Sequence, residues 1–165
     1  MKKGLALLMV SLLAFCAASS AAFSWGKEEA NNEALAVKFA REVARGGYGI
    51  VSTTELDSWI KEKKPMLIVD TMPLEDSFKK QHIPGAVCFE LPIPEMETMD
   101  DATKAKFQEL LGPDKDRLLV FYCGFTKCGR SHNGAMWAKK LGYTNVYRCP
   151  GGIKGWEENG FPVEK

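Results

Sequence analysis

The chain alternates short apolar runs with longer segments whose apolar positions recur at helical spacing. Met66 to Asp70 and Leu118 to Cys123 are nearly continuous apolar runs, the pattern of strands buried on both faces. Val87 to Leu91 alternates and reads as a further strand, with shorter candidates at Ile50–Val51 and Asn145 to Cys149. Before the first of these, Leu35, Phe39 and Val43 recur every four residues, with Val37 and Ala40 near the same face. This predicts an amphipathic helix over 31–44, stopped by Gly46–Gly47. Leu56, Trp59 and Ile60 make the apolar stripe of a helix that enters at Ser52-Thr53-Thr54-Glu55, with Thr54 and Asp57 as capping or first-turn residues, and closes before Pro65. Asp76 to Gln81, Thr103 to Leu111, Ser131 to Leu141 and Ile153 to Asn159 read as the remaining helices. Ser131 is a plausible N-cap, and Gly142 stands where a helix of that length would end. Strands alternating with helices predict an α/β fold, a mostly parallel sheet with helices on both faces. In such sheets ligands sit beyond the carboxyl ends of the strands.

Length and charge narrow this picture. The 165 residues suffice for one domain with a full core. Met1-Lys-Lys followed by the apolar stretch Gly4 to Ala18 and the small residues Ser20-Ala21-Ala22 reads as a cleaved signal peptide spanning 1–22. Residues 23–48 then form a linker and N-terminal helix, and 49–165 the domain. Phe15 directly before Cys16 argues against a lipidated cysteine. The expected location is the periplasm, with no stable membrane span in the mature chain. The chain carries 22 basic and 21 acidic residues; removal of Lys2 and Lys3 with the leader leaves 20 and 21, a net charge of −1. That balance offers no electrostatic case for nucleic acid.

The chemistry concentrates after the strand ending at Cys123. Cys123-Gly-Phe-Thr-Lys-Cys128-Gly-Arg130-Ser131 is a short loop leading into a helix, a way of aiming backbone N–H groups at an anion. A cysteine at its mouth is placed to be held as a thiolate nucleophile. Cys88 and Cys149 read first as small structural residues, although Cys149 ends a strand on the same sheet edge as Cys123. His82 reads as shaping a turn, His132 as a surface residue, and Trp137 and Trp156 as core. The spacing of Cys and His matches no metal site, and no cofactor is expected.

Six pieces occur in order: Leu67-Ile-Val-Asp70, His82-Ile-Pro-Gly-Ala86, Val120-Phe-Tyr-Cys123, Arg130-Ser131, Gly142-Tyr-Thr-Asn-Val146-Tyr and Gly151-Gly152-xxx-Trp156. Together they resemble the rhodanese-like domain from about Val51 to Val163. The resemblance implies a five-stranded parallel sheet flanked by helices, and transfer of sulfane sulfur through a persulfide on the catalytic cysteine, which falls on Cys123. It implies substrate contacts from Gly124, Phe125, Thr126, Lys127, Gly129 and Arg130, with Asp70 as structural support. The implied substrates are small sulfur anions such as thiosulfate or polysulfide, with a thiophilic acceptor that can be a thiol-bearing protein.

Two departures stand out. The family's Asp-x-Arg is Asp70-Thr71-Met72 here, and the loop from Cys123 to Arg130 is C-x6-R, longer than usual. Exported relatives with a second cysteine in this loop look similar. Cys128 is therefore the candidate resolving thiol, either pairing with Cys123 in a resting disulfide or displacing sulfur from its persulfide. A thiol–disulfide redox protein using both cysteines and a non-catalytic sulfur- or anion-binding module are the alternatives to a sulfurtransferase.

Overall fold

The computed structural model describes residues 28–165. The expected signal peptide, 1–22, lies outside the described residues, as do residues 23–27 after it. Five strands form one sheet: β1 (Gly49–Ile50), β2 (Leu67–Asp70), β3 (Val87–Cys88), β4 (Leu119–Tyr122) and β5 (Val146–Cys149). The order across the sheet is β1-β5-β4-β2-β3 and every pairing is parallel. The apolar runs Leu67–Asp70 and Leu119–Tyr122 are buried at every position because β2 and β4 are central and covered on both faces. β3 is shorter than the alternation of Val87 to Leu91 predicts. Its line continues through hydrogen bonds from the Phe89 and Leu91 N–H groups to the Asp70 and Thr71 carbonyls.

Five helices follow the predicted periodicities: α1 (Glu29–Gly46), α2 (Thr53–Lys61), α3 (Asp101–Leu111), α4 (Arg130–Lys140) and α5 (Gly152–Glu158). The N-cap of α2 is Ser52 rather than Thr54: Ser52 and Glu55 cap the helix reciprocally, which puts Thr54 and Asp57 inside it. The short helix expected at 76–81 is instead a π-helical turn at Leu74–Phe78, closed by Phe78 N–H to Pro73 O and Lys79 N–H to Leu74 O. One core joins α3 and α4, with Val43 of α1, to the sheet face carrying Val69, Leu119 and Phe121. The other joins α2 and α5 to the face carrying Ile68, Val120 and Tyr122. Among the described residues no helix is long and apolar enough to cross a membrane.

α1 departs from a simple apolar docking helix. Leu35, Phe39 and Val43 are half-buried on the predicted face, whereas Val37 and Ala40 are exposed. The most buried side chain of that face is an acid, Glu42.

Candidate active site

The end of β4 delivers Cys123 to the carboxyl edge of the sheet, where it is 1% exposed. Side chains alternate along β4, so Cys123 follows Tyr122 onto the same face as Phe121 and Arg148. Cys149 pairs with Tyr122 and lies in the core of α2 and α5, on the opposite face from Cys123. The shared sheet edge therefore does not bring Cys149 to the site, and burial pushes its thiol up to about 12.

The turn after β5 fastens the loop from behind. Ile153 N–H donates to Cys123 O at 2.9 Å and Lys154 N–H to Gly124 O at 3.0 Å. Gly152 sits at φ +61° with its α-carbon against the Cys123 carbonyl, so a side chain there is excluded both by conformation and by space. Asp70 is fully buried and its Oδ1 accepts from the Met72 N–H at 2.8 Å, shaping the turn after β2. Burial pushes its carboxyl up. Met72, where the family motif has arginine, lays its thioether against Gly124.

Cys123 Sγ lies 3.4 Å from Cys128 O and 3.2 Å from Ser131 Oγ. The Cys128 N–H is used inside the loop, donating to Phe125 O at 3.0 Å. The Gly124 and Arg130 N–H groups instead favour a negative charge on the Cys128 sulfur. Hydrogen bonding with the Cys123 side chain, then these N–H groups and the Arg130 charge, outweigh burial and hold Cys128 down to about 6. Hydrogen bonding with Cys128, burial and the neighbouring thiolate push Cys123 up. The two thiols thus act as a pair in which one proton is retained and one charge is carried.

The other expected contact residues divide. Phe125 and Lys127 are exposed at the loop tip, and Thr126 is half-buried. With Gly151 and Lys154 they line a cleft of about 440 Å³ on the outer side of the loop. Gly129 is buried beneath the Ile93 carbonyl. The Arg130 guanidinium is turned toward the segment after β3, donating to Leu91 O and lying 3.7 Å from Glu90. A larger cleft of about 760 Å³ separates α1 from Ile93–Glu95, and neither Cys123 nor Cys128 lines it.

Six residues that pattern reading did not assign to the site surround it: Arg148, Glu42, Phe39, Ser131, Tyr48 and His132. Arg148 of β5 is fully buried. Its Nε donates to Ser131 Oγ at 2.9 Å, one terminal nitrogen to Cys128 O at 2.9 Å, and the other to Glu42 Oε2 at 2.6 Å. Phe39 lies under the guanidinium, 5.0 Å from ring centroid to Cζ. Ser131 does not cap α4; the N-cap position belongs to Gly129, and the serine hydroxyl faces Cys123 and Arg148. Tyr48 bonds His132 Nδ1 at 2.8 Å. His132 is 1% exposed, not at the surface, because α4 presents its first turn to α1; burial lowers its pKa and favours the neutral ring. In the sequence Glu42 and Arg148 look like solvent-facing charges, and their 106-residue separation hides the pair.

The sequence model of the rhodanese-like domain matches residues 52–159, more than half of the chain. The chain belongs to the rhodanese-like domain family. No curated protein sequence matches it. Among solved structures it is similar to the polysulfide-sulfur transferase homodimer of Wolinella succinogenes (13% identity, TM-score 0.57), over 85% of this chain and 93% of that one. Thiosulfate sulfurtransferase from Pseudomonas aeruginosa is 18% identical with a TM-score of 0.59, over 79% of this chain and 22% of that one. The BH2092 protein from Bacillus halodurans is 24% identical with a TM-score of 0.54, over 81% and 85%. At these identities the structural likeness establishes the rhodanese fold. α1 lies outside the matched segment, so Glu42 and Phe39 reach this rhodanese-like site from beyond the domain that the family defines.

Proposed function

We propose that this rhodanese-like protein is a sulfurtransferase that carries sulfane sulfur as a persulfide on Cys123. The observation that carries the reading is the placement of Cys123 at the end of the central strand, its sulfur 3.2 Å from the Ser131 hydroxyl, with Cys128 in the same loop; the N–H groups and the Arg130 charge around Cys128 favour its thiolate. Cys128 can take the Cys123 proton as Cys123 attacks the outer sulfur of an anionic donor. The donor's S–S bond breaks, its remainder leaves with the bonding electrons (sulfite in the case of thiosulfate), and Cys123 keeps the sulfur as a persulfide. An acceptor thiolate or other thiophile then attacks that outer sulfur, and Cys123 leaves as thiolate to recover its proton. Lys127 and Lys154, against the single acid Glu158 that pairs with Lys154, leave the outer cleft with a net positive charge for small sulfur anions such as thiosulfate or polysulfide. Both thiols are buried, so the loop must open to admit donor and acceptor. An exported, periplasmic protein would meet such donors outside the cytoplasm.

The closeness of Cys128 favours a second reading. Its thiolate can attack Cys123 Sγ of the persulfide, expelling hydrosulfide and leaving a Cys123–Cys128 disulfide. A dithiol reductant would then supply two electrons to reset the pair.

Lys127 makes the readings separable. Trypsin cuts after it and places Cys123 on peptide 118–127 and Cys128 on peptide 128–130. Exposure to polysulfide or thiosulfate should add one sulfur, about 32 Da, to peptide 118–127, and Cys123→Ser should abolish both the adduct and thiocyanate formation from cyanide. Unchanged turnover in Cys123→Ser refutes the proposal. A disulfide-linked peptide pair with released sulfide, in place of the adduct, selects the second reading.

A further inference from the structure

The Ser131 hydroxyl has one proton and two lone pairs. Arg148 Nε can only donate, so at 2.9 Å it occupies a lone pair of Ser131 Oγ. The serine proton is then left for the remaining neighbour of that oxygen, Cys123 Sγ at 3.2 Å. The same guanidinium draws in the Cys128 carbonyl at 2.9 Å, fixing the peptide that precedes Gly129. Arg148 is itself held by α1: Glu42 Oε2 accepts at 2.6 Å, with Phe39 packed beneath. Burying a guanidinium without a counter-charge is strongly unfavourable, so Glu42 is what keeps Arg148 in place.

We infer that Arg148, anchored on Glu42 of α1, is a positioning residue that fixes the Ser131 hydroxyl as a hydrogen-bond donor to the Cys123 sulfur. The N-terminal helix is thereby part of the active site. This rests on the reading of Cys123 as the sulfur carrier, because a donor aimed at Sγ favours the charged forms through which that carrier acts. Several other charged or titratable groups face this network. Lys38 pairs with Glu42 on α1, and Tyr48 touches Arg148. His132 stands between Tyr48 and Glu95, and Glu95 is paired to Arg45. Arg130 acts on Cys128. None of them contacts Ser131 Oγ, so the Ser131 and Arg148 variants probe the proposed link selectively.

The experiment is alkylation of the full-length protein by iodoacetamide across pH, followed as loss of unmodified peptide 118–127. It reads the Cys123 thiol without requiring sulfur transfer. Ser131→Ala should slow Cys123 alkylation at pH 7 about tenfold, the effect of losing a hydrogen bond to a charged group, while Ser131→Thr, which keeps the hydroxyl, should restore it. Arg148→Lys keeps the buried charge opposite Glu42 but loses the fork that reaches Ser131. It should slow Cys123 to a similar extent, and Ser131→Ala with Arg148→Lys should be no slower than either alone. Glu42→Gln removes the counter-charge that holds Arg148, so it should slow Cys123 in the same direction as Arg148→Lys and add nothing to Ser131→Ala. General loosening of the site would expose the buried thiol and speed alkylation, so slowing in both charge variants together with rescue by Ser131→Thr is what it cannot produce. Multiplicative slowing in the double variant, or faster alkylation in Glu42→Gln, overturns the inference. If Arg148→Lys does not fold, Glu42→Gln with the Ser131 pair still decides it: unchanged or faster alkylation in Glu42→Gln, or no difference between Ser131→Ala and Ser131→Thr, refutes it. Failure of the sulfurtransferase reading would show separately, as no sulfur adduct on the wild-type peptide.

Discussion

Gly152 is where the turn after β5 meets the loop that carries Cys123, and one added methyl group tests how firmly the two are joined. Its φ of +61° costs an alanine about 1–2 kcal/mol. A Cβ there would also overlap the Cys123 carbonyl oxygen and stand 2.8 Å from the Gly124 carbonyl carbon. Both obstacles are backbone, which cannot swing aside as a side chain can. Relief would separate the turn from the loop and weaken the bonds from Ile153 and Lys154, each worth about 1 kcal/mol. Gly152→Ala should therefore cost roughly 3–4 kcal/mol in total. Gly142 is the internal control: its φ is +90°, but a Cβ would meet nothing within 4 Å. Gly142→Ala should cost only the conformational term, about 1–2 kcal/mol. Urea unfolding followed by tryptophan fluorescence should place the Gly152→Ala midpoint about 1 M below that of Gly142→Ala, for a typical slope of about 2 kcal/mol/M. Equal midpoints would refute the claim that the turn braces the loop.

Three other outcomes follow from the geometry. Alkylation of Cys128, followed on peptide 128–130, should rise with pH through a midpoint near 6 as the thiol ionises. Cys123→Ala, which leaves no donor at that position, should move that midpoint upward, because its largest support is hydrogen bonding with Cys123. Asn133→Ala should remove three bonds of 2.8–2.9 Å that tie Pro92, Pro94 and Met96 to α4. Hydrogen exchange across 92–98 should then speed up at least tenfold, the effect of a hydrogen bond or more lost from local stability; unchanged exchange would mean that other contacts hold the segment. Tyr122→Phe should destabilise the fold by about 1–3 kcal/mol, because it leaves the buried Ile83 N–H, now bonded to the phenol oxygen at 3.0 Å, without a partner. A urea midpoint equal to wild type would count against that bond.

Most of the fold is legible in the sequence because local pattern and tertiary burial agree. Leu119–Tyr122 is uniformly apolar and both faces are covered, and Ser52–Glu55 announces the start of α2 by its caps. Cys123 is legible for the same reason: the strand ends there and the glycine-rich loop begins. What supports Cys123 is not local. Arg148 follows Tyr147 in an alternating strand and looks like the outward member, yet α1 covers it and Glu42 neutralises it. His132 and Ser131 look like the polar start of a surface helix, but that first turn is buried. Periodicity reports which face is apolar; it does not report a polar face buried against a matching polar face.

The Glu42–Arg148 pair also sets an order of events during folding. Arg148 cannot be sealed beneath a helix that has not yet brought its carboxylate, since an unpaired buried charge costs several kcal/mol. The sheet and its flanking helices can assemble while the inner half of β5 stays wet, and α1 must then close over it. α1 thus docks after the sheet, and the loop around the two thiols reaches its final shape only with that step. In refolding, protection of Cys123 and Cys128 from a thiol reagent should lag behind burial of Trp156, which lies on the opposite side of the sheet.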